Sequence, residues 1–190
     1  MAWNMGLMGA ALSSAPAVDF DLLETTILTS NVNSVNFTGL DSYTDYKDLH
    51  VRVIARSTRG GDADTCNIRF NNDSSNSYIT HRVTADGSLS IITNTNDSSQ
   101  RYMQMAATTS GAGVFGGGTI DIFDFLDSSK NTSSMCKTTL QRGTSPILRF
   151  STGSFLKTDP ISQISFFPID GSDTFVSGSR FSIYGIKGGA

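Results

Sequence analysis

Charge is scarce in this chain. Asp, Glu, Lys and Arg make up 16% of its 190 residues, against roughly 25% in ordinary soluble domains. The net charge is −3, with no run of Lys or Arg. Nucleic acid is therefore not an expected partner, because phosphate binding draws on clustered cations. No apolar stretch approaches the ~20 residues of a membrane span, so a membrane is not an expected partner either. Histidine occurs only as His50 and His81, and cysteine only as Cys66 and Cys136. Their scattered spacing matches no zinc pattern, and no metal or cofactor is expected. No Gly-x-Ser-x-Gly elbow is present. Both histidines read as sheet residues rather than as bases beside a nucleophile. No catalytic residue is assigned, and the chain is not expected to be an enzyme. No convincing helical periodicity appears anywhere.

What is abundant is Ser, Thr, Asn and Gly, set among short alternating runs. Thr suits a pleated surface, while Ser, Asn and Gly build turns. The clearest strand is Leu49–Ser57, with Leu49, Val51, Val53 and Ala55 on one face and His50, Arg52, Ile54 and Arg56 on the other. The chain closes on a second alternating run, Arg180–Ile186, which sets Phe181 and Ile183 against Arg180, Ser182, Tyr184 and Ile186. Further strands are expected at 22–29, 34–38, 65–71, 77–84, 89–93, 100–107, 119–126, 133–142, 146–152 and 161–168. Asp86-Gly87 reads as a hairpin turn, 94–99 as a polar loop and 111–118 as a glycine-rich bend. Asp121 and Asp124 break the alternation in the Thr119 run, so a bulge or strand end is expected near Phe123. Ten or more short strands with regular turn signals predict an all-β fold, a jelly-roll-like antiparallel β-sandwich spanning 20–190 as a single domain. A hydrophobic fraction of 38% suffices for one such core.

Residues 1–19 read differently. They form an extended apolar arm rich in Gly, Ala and Met. It superficially resembles a signal peptide but lacks a positive n-region, and Gly and Asn interrupt its apolar core, so the segment reads as retained. Trp3, Met5, Leu7, Met8 and Leu12 are its candidate partner-binding residues, since Met adapts to irregular grooves. The alternative is an arm that tucks onto its own sandwich.

Few other positions invite a site. A domain of this size needs no staple, so Cys66 and Cys136 read as free buried thiols, with a disulfide as the alternative. Asp62, Asp64, Asn71, Asn72 and Asp73 could offer oxygen ligands to calcium, but are also ordinary turn residues. Asp121 and Asp124 are too close in sequence to read as facing carboxylates of a glycosidase. Glycan binding would need an exposed aromatic platform. Tyr43, Tyr46, Tyr78 and Tyr102 are the glycan-facing candidates, against the reading in which they lid the core. Glycosylation sequons begin at Asn36, Asn72, Asn96 and Asn131; in a chain this rich in Asn and Ser they arise by chance.

Several segments together carry a resemblance. They are Tyr46–Ser57, Arg69–Asp73, Tyr78–Arg82, Ile120–Phe125 and Gly178–Ile186. In order and spacing the region 22–187 resembles small β-sandwich virion structural proteins of tailed bacteriophages, of the marine and cyanobacterial type. The resemblance implies a virion component, assembled in the host cytoplasm, and brings no catalytic residues. Its leading implication is a capsid decoration or cement protein. Such a protein would bind the outer capsid surface as a homo-oligomer, with a trimer favoured. Its arm would reach the major capsid protein or other virion subunits. The alternative is a tail-fibre or receptor-binding module for host surface glycans. A free carbohydrate-binding lectin is a weaker third reading.

Overall fold

The computed structural model describes residues 20–142 and 145–188. The arm of residues 1–19, with Trp3, Met5, Leu7, Met8 and Leu12, lies outside them. Twelve strands are present among the described residues: β1 (Phe20–Ile27), β2 (Val35–Thr38), β3 (Asp48–Ala55), β4 (Ala63–Phe70), β5 (Tyr78–Ala85), β6 (Leu89–Asp97), β7 (Gln100–Ala106), β8 (Gly116–Phe123), β9 (Thr132–Leu140), β10 (Ile147–Phe155), β11 (Gln163–Pro168) and β12 (Arg180–Ile186). The only helix among them is a short 3-10 turn, Leu40–Ser42.

Alternation places the core. In β3, Leu49, Val51, Val53 and Ala55 are buried, as their spacing predicts. Phe181 and Ile183 of β12 lie on the same face, opposite Val53 and Val51. Facing them across the sandwich are Phe37 of β2, Ile68 and Phe70 of β4, and Ile164 and Phe166 of β11, all fully buried. Burying each such side chain contributes about 1.5–3 kcal/mol.

Two antiparallel sheets result, ordered β1-β12-β3-β8-β9-β10-β5-β6 and β2-β11-β4-β7. Setting aside the β5–β6 and β9–β10 hairpins exposes the logic. The remaining strands pair first with last: β1 with β12, β2 with β11, β3 with β8 and β4 with β7. That is a long antiparallel hairpin rolled on itself, sealed where β12 meets β3 and β11 meets β4, which is the jelly roll. The two inserted hairpins extend one sheet to eight strands and leave the other at four.

Three expectations need correction. The segment 94–99 is not a loop. β6 continues to Asp97, helped by a register shift opposite Tyr78/Thr80 and a left-handed Asn96 at φ 58°. Gly116–Gly118 are not part of a bend but open β8. A side chain at Gly116 would meet Gln104 O and Met105 Cα at 2.6 Å, and one at Gly118 would meet Thr138 Cγ2 at 2.8 Å. Glycine there permits β7 to approach β8. Finally, β7 does not alternate in burial, although it is an edge strand. The long sheet curls over it: Gln104 N–H donates to Thr138 Oγ1 of β9, and Tyr102 O accepts from Ser151 Oγ of β10.

Other features follow the sequence. β8 ends at Phe123, where Asp124 turns left-handed at φ 48°. Asp86-Gly87 makes the β5–β6 turn, with Gly87 at φ 102°.

Candidate functional site

Most chemistry-bearing residues are already occupied by the fold. His50 Nδ1 lies 2.6 Å from Asp121 Oδ1 on the outward face, and no Ser, Thr or Cys bonds the imidazole among the described residues. His81 bonds Thr93 Oγ1 across β5 and β6 at 3.0 Å. The His50–Asp121 pair lacks a hydroxyl or thiol partner and the Thr93–His81 pair lacks a carboxylate, so no triad forms among the described residues. Asp124 binds Lys47 and Lys130, and Lys130 in particular holds its carboxyl below the usual range. Asp62 pairs with Arg142. Asp64 is buried against Arg59, and that burial pushes its carboxyl up. Asn71 Oδ1 caps the N–H groups of Ser162 and Gln163, while Asp73 pairs with Lys157 at 2.8 Å. Four of the five candidate calcium ligands, Asp62, Asp64, Asn71 and Asp73, thus already hold a cation or backbone partner. Cys66 and Cys136 are free and buried, and burial raises both thiols well above their ordinary range.

The four tyrosines divide. Tyr78 and Tyr102 are fully buried, which corrects their candidacy as glycan-facing residues. The Tyr78 hydroxyl accepts from Phe70 N–H at 3.0 Å and reaches Asp73 O at 3.0 Å, pinning the corner where the chain crosses between sheets. The Tyr102 hydroxyl bonds Ser134 Oγ inside the sandwich. Tyr43 and Tyr46 are half-buried against the end of the core, 6.4 Å apart and edge to face. Tyr46 donates to Asp21 Oδ2 at 2.9 Å. These two serve as lids.

The unspent surface is the outer face of the eight-stranded sheet. At the β1 end, Phe20 stacks on Tyr184 at 4.7 Å between centroids, with His50 5.3 Å from Phe20. At the opposite end the inserted strands carry two apolar rows. Phe150, Val83 and Ile91 are cross-strand neighbours, as are Leu148, Ala85 and Leu89. Leu148, Leu89 and Ile91 are 62%, 69% and 72% exposed. Alternation did not reveal this face, because both sides of β5 mix apolar with polar residues: Tyr78, Thr80 and Thr84 turn in, and Ile79 and Val83 turn out. The adjacent pair Ile91-Ile92, which puts one apolar side chain on each face, was the available signal.

β6 is also an open edge, and a hazardous one. Edges are normally blunted by shortness, bulges, charge or cover. β2 is four residues long, β1 carries a bulge between Leu22 and Glu24, and β7 is covered. β6 is bulged only near its far end, at Asn96 opposite Tyr78–Thr80, and among the described residues its regular stretch Leu89–Asn94 has none of these devices. The strand runs nine residues, LSIITNTND, without Lys, Arg or Pro, and its only charge is the terminal Asp97.

Scans of this chain against protein-family models, curated proteins and solved structures found no match.

Proposed function

We propose that this protein is a virion structural subunit, a capsid decoration protein that adds to the outer surface of a phage shell as a homo-oligomer. The observation that carries the reading is the regular, charge-free Leu89–Asn94 stretch of the β6 edge, continuous with the apolar rows on β5 and β10. A long, uncharged edge beside exposed Leu and Ile invites strand addition by a neighbour. A subunit that lives in an assembly has such a neighbour permanently. The mechanism is added interface: whatever binds only the assembled shell stabilises it by mass action. Scarce charge supports dense coverage of a particle, since closely spaced copies repel little. The virion itself enters through the sequence resemblance.

The test is stoichiometry in purified particles. A fixed ratio to the major shell protein supports decoration, and a few copies per particle would overturn it. L89K/I91K gives the residue-level check. Both positions are mostly exposed, so the fold should survive while addition to undecorated shells is lost.

A second reading, receptor binding at the tail, is favoured by one feature: the exposed Phe20–Tyr184 stack beside the His50–Asp121 pair. A ring pair next to a carboxylate is suited to sugar faces and hydroxyls. Under this reading Y184A abolishes adsorption to host cells and leaves shell stability unchanged.

A further inference from the structure

Between the aromatic end and the apolar end, the outer face of the large sheet is hollow. A concavity of about 410 Å³ opens there, lined by residues of β3, β8, β9, β10 and β12. Two cross-strand rows build it. One runs Arg52–Thr119–Lys137, and the other runs Arg180–Ile54–Gly117–Thr139–Leu148. Gly117 is the floor, Ile54 and Leu148 stand as aliphatic walls, and Arg52, Lys137 and Arg180 form the rim.

Two observations set this hollow apart from ordinary surface. First, its charge is of one sign and unspent. The side chains of Arg52, Lys137 and Arg180 have no hydrogen-bond or ion-pair partner among the described residues, and no carboxylate lines the hollow. Elsewhere this net-negative chain pairs most of its cations, as at Arg59, Arg101, Lys130, Arg142, Lys157 and Lys187, with Arg82 an exception.

Second, the fold does not account for Gly117. Its neighbours Gly116 and Gly118 are compelled by contacts under 3.0 Å, but a Cβ on Gly117 would meet nothing within 4 Å, and its backbone is not left-handed. A glycine inside a strand weakens the strand, and one use for it is the close approach of a ligand or another backbone. Here any side chain at position 117 would fill the floor between Ile54 and Thr139.

We infer that this hollow is a binding site for an acidic peptide segment of a partner protein, with its carboxylates on Arg52, Lys137 and Arg180 and its backbone laid close over Gly117. The chemistry of the lining selects among anions. The rim offers donors only, and a carboxylate needs donors only. Arg52 and Lys137 lie two strands apart, about 10 Å at ~4.8 Å per strand, a span that two side-chain carboxylates can bridge. Ile54 and Leu148 provide apolar contact for flanking aliphatic residues. A sugar would need acceptors for its hydroxyls and a ring to stack on, and a nucleic acid would need a longer cationic track or stacking aromatics. The hollow has no aromatic ring and no extended cationic track, and its only side-chain acceptors are threonine hydroxyls. The inference stands on this surface alone and does not depend on the particle assignment.

The probe is a capped, fluorescent peptide of alternating Asp and Leu, titrated into the full chain and read by anisotropy and amide chemical shifts. A Lys-Leu counterpart and a sulfated oligosaccharide are run beside it. The expected result is saturable binding of the Asp-Leu peptide alone, weakening with salt, with shifts centred on Gly117, Thr119 and Thr139. R52A/R180A should weaken it by roughly tenfold or more. G117V should abolish it without lowering the melting temperature, which a purely structural glycine would not do. Absence of saturable binding overturns the inference, as does binding that survives both variants. Preference for the sulfated oligosaccharide at the same residues overturns the peptide assignment.

Discussion

The tightest joint in the sandwich lies under the inserted strands, and it yields a quantitative prediction. Gly153 of β10 points inward, and a Cβ there would collide with Tyr102 Oη, lie 2.5 Å from Gln100 Nε2 and lie 2.8 Å from Tyr102 Cζ. Its backbone is not left-handed, so the effect of Gly153→Ala is steric rather than conformational. Tyr102 cannot retreat. It is wholly buried, and its hydroxyl is tied to Ser134 Oγ, which also reaches Gln100 Oε1 at 3.2 Å and Gly153 O at 3.3 Å. Overpacking against a rigid ring belongs at the upper end of the usual 1–3 kcal/mol range, about 3 kcal/mol. At ~2–4 °C per kcal/mol for a domain of this size, the melting temperature should fall by roughly 6–12 °C. Tyr102→Phe loses one buried hydroxyl contact, about 1 kcal/mol. Combining the two removes the worst collision, so the double variant should be less destabilised than the sum, with a coupling of about 1 kcal/mol. Urea unfolding with unchanged m-values measures all four corners. Gly117→Ala, with open space at its Cβ, is the control and should cost nothing. A Gly153→Ala protein that melts with wild type, or two changes that simply add, would refute the reasoning.

Tyr78→Phe should cost about 1–3 kcal/mol in the same assay, because Phe70 N–H and Asp73 O lose their buried partner; an unchanged urea midpoint would contradict this. Asp73 supplies a pH signature. Burial alone would raise its carboxyl, but Lys157 and Ser75 overrule it and hold it at about 2, below its ordinary 3.8. The folded state therefore binds its proton less readily, and the resulting stability is complete above pH 3.8 and lost as pH falls towards 2. Asp73→Asn should flatten that acid limb of stability against pH, and an equally steep limb would exclude the ion pair as its source. Cys66 and Cys136 are 1% exposed with raised thiols, so a thiol reagent at pH 8 should modify them only at the global unfolding rate. Rapid labelling of the native protein would show the core to be open there.

Strand existence was legible where one face is strongly apolar. β3 and β12 could be read almost residue by residue, since their inward sets hold no polar side chain and their outward sets are mostly polar, with Ile54 and Ile186 the exceptions. Glycine misled because it has two uses. Turns and close approaches share the same letter, and only the β7–β8 spacing tells them apart. Tyrosine misled for a related reason. Whether a hydroxyl faces solvent or a buried partner depends on Ser134, thirty-two residues from Tyr102. The candidate surface was illegible because it depends on register between strands distant in sequence. Val83 and Phe150 become neighbours only when β10 pairs with β5. Nothing local in either strand states that pairing.

The distribution of outward residues also separates what the roll needs from what was added to it. The eight strands of the roll close without β5, β6, β9 and β10. Outward positions on the roll's own β3, β8 and β12 are largely polar or charged, as at His50, Arg52, Asp121, Arg180 and Ser182, although its edge strand β1 exposes Phe20, Leu22 and Ile27. Outward positions on β5, β6 and β10 include Val83, Leu89, Ile91, Leu148 and Phe150. If the inserts served only stability, those rows would not be expected, since exposed apolar rows beside an open edge promote misassociation and bury nothing. Their inward faces are mixed: Tyr78, Cys136, Leu140, Ile147 and Phe155 join the core, while Thr80, Thr84, Ser134, Thr138, Arg149 and Ser151 line the rest, bonded in part to β7 and to one another. The inserts thus add an interior that is only part apolar and an exterior that carries apolar rows, which a self-sufficient domain has no use for. A neighbour covering the outer rows, as proposed above, would account for them, and the cationic hollow lies where roll and insert meet.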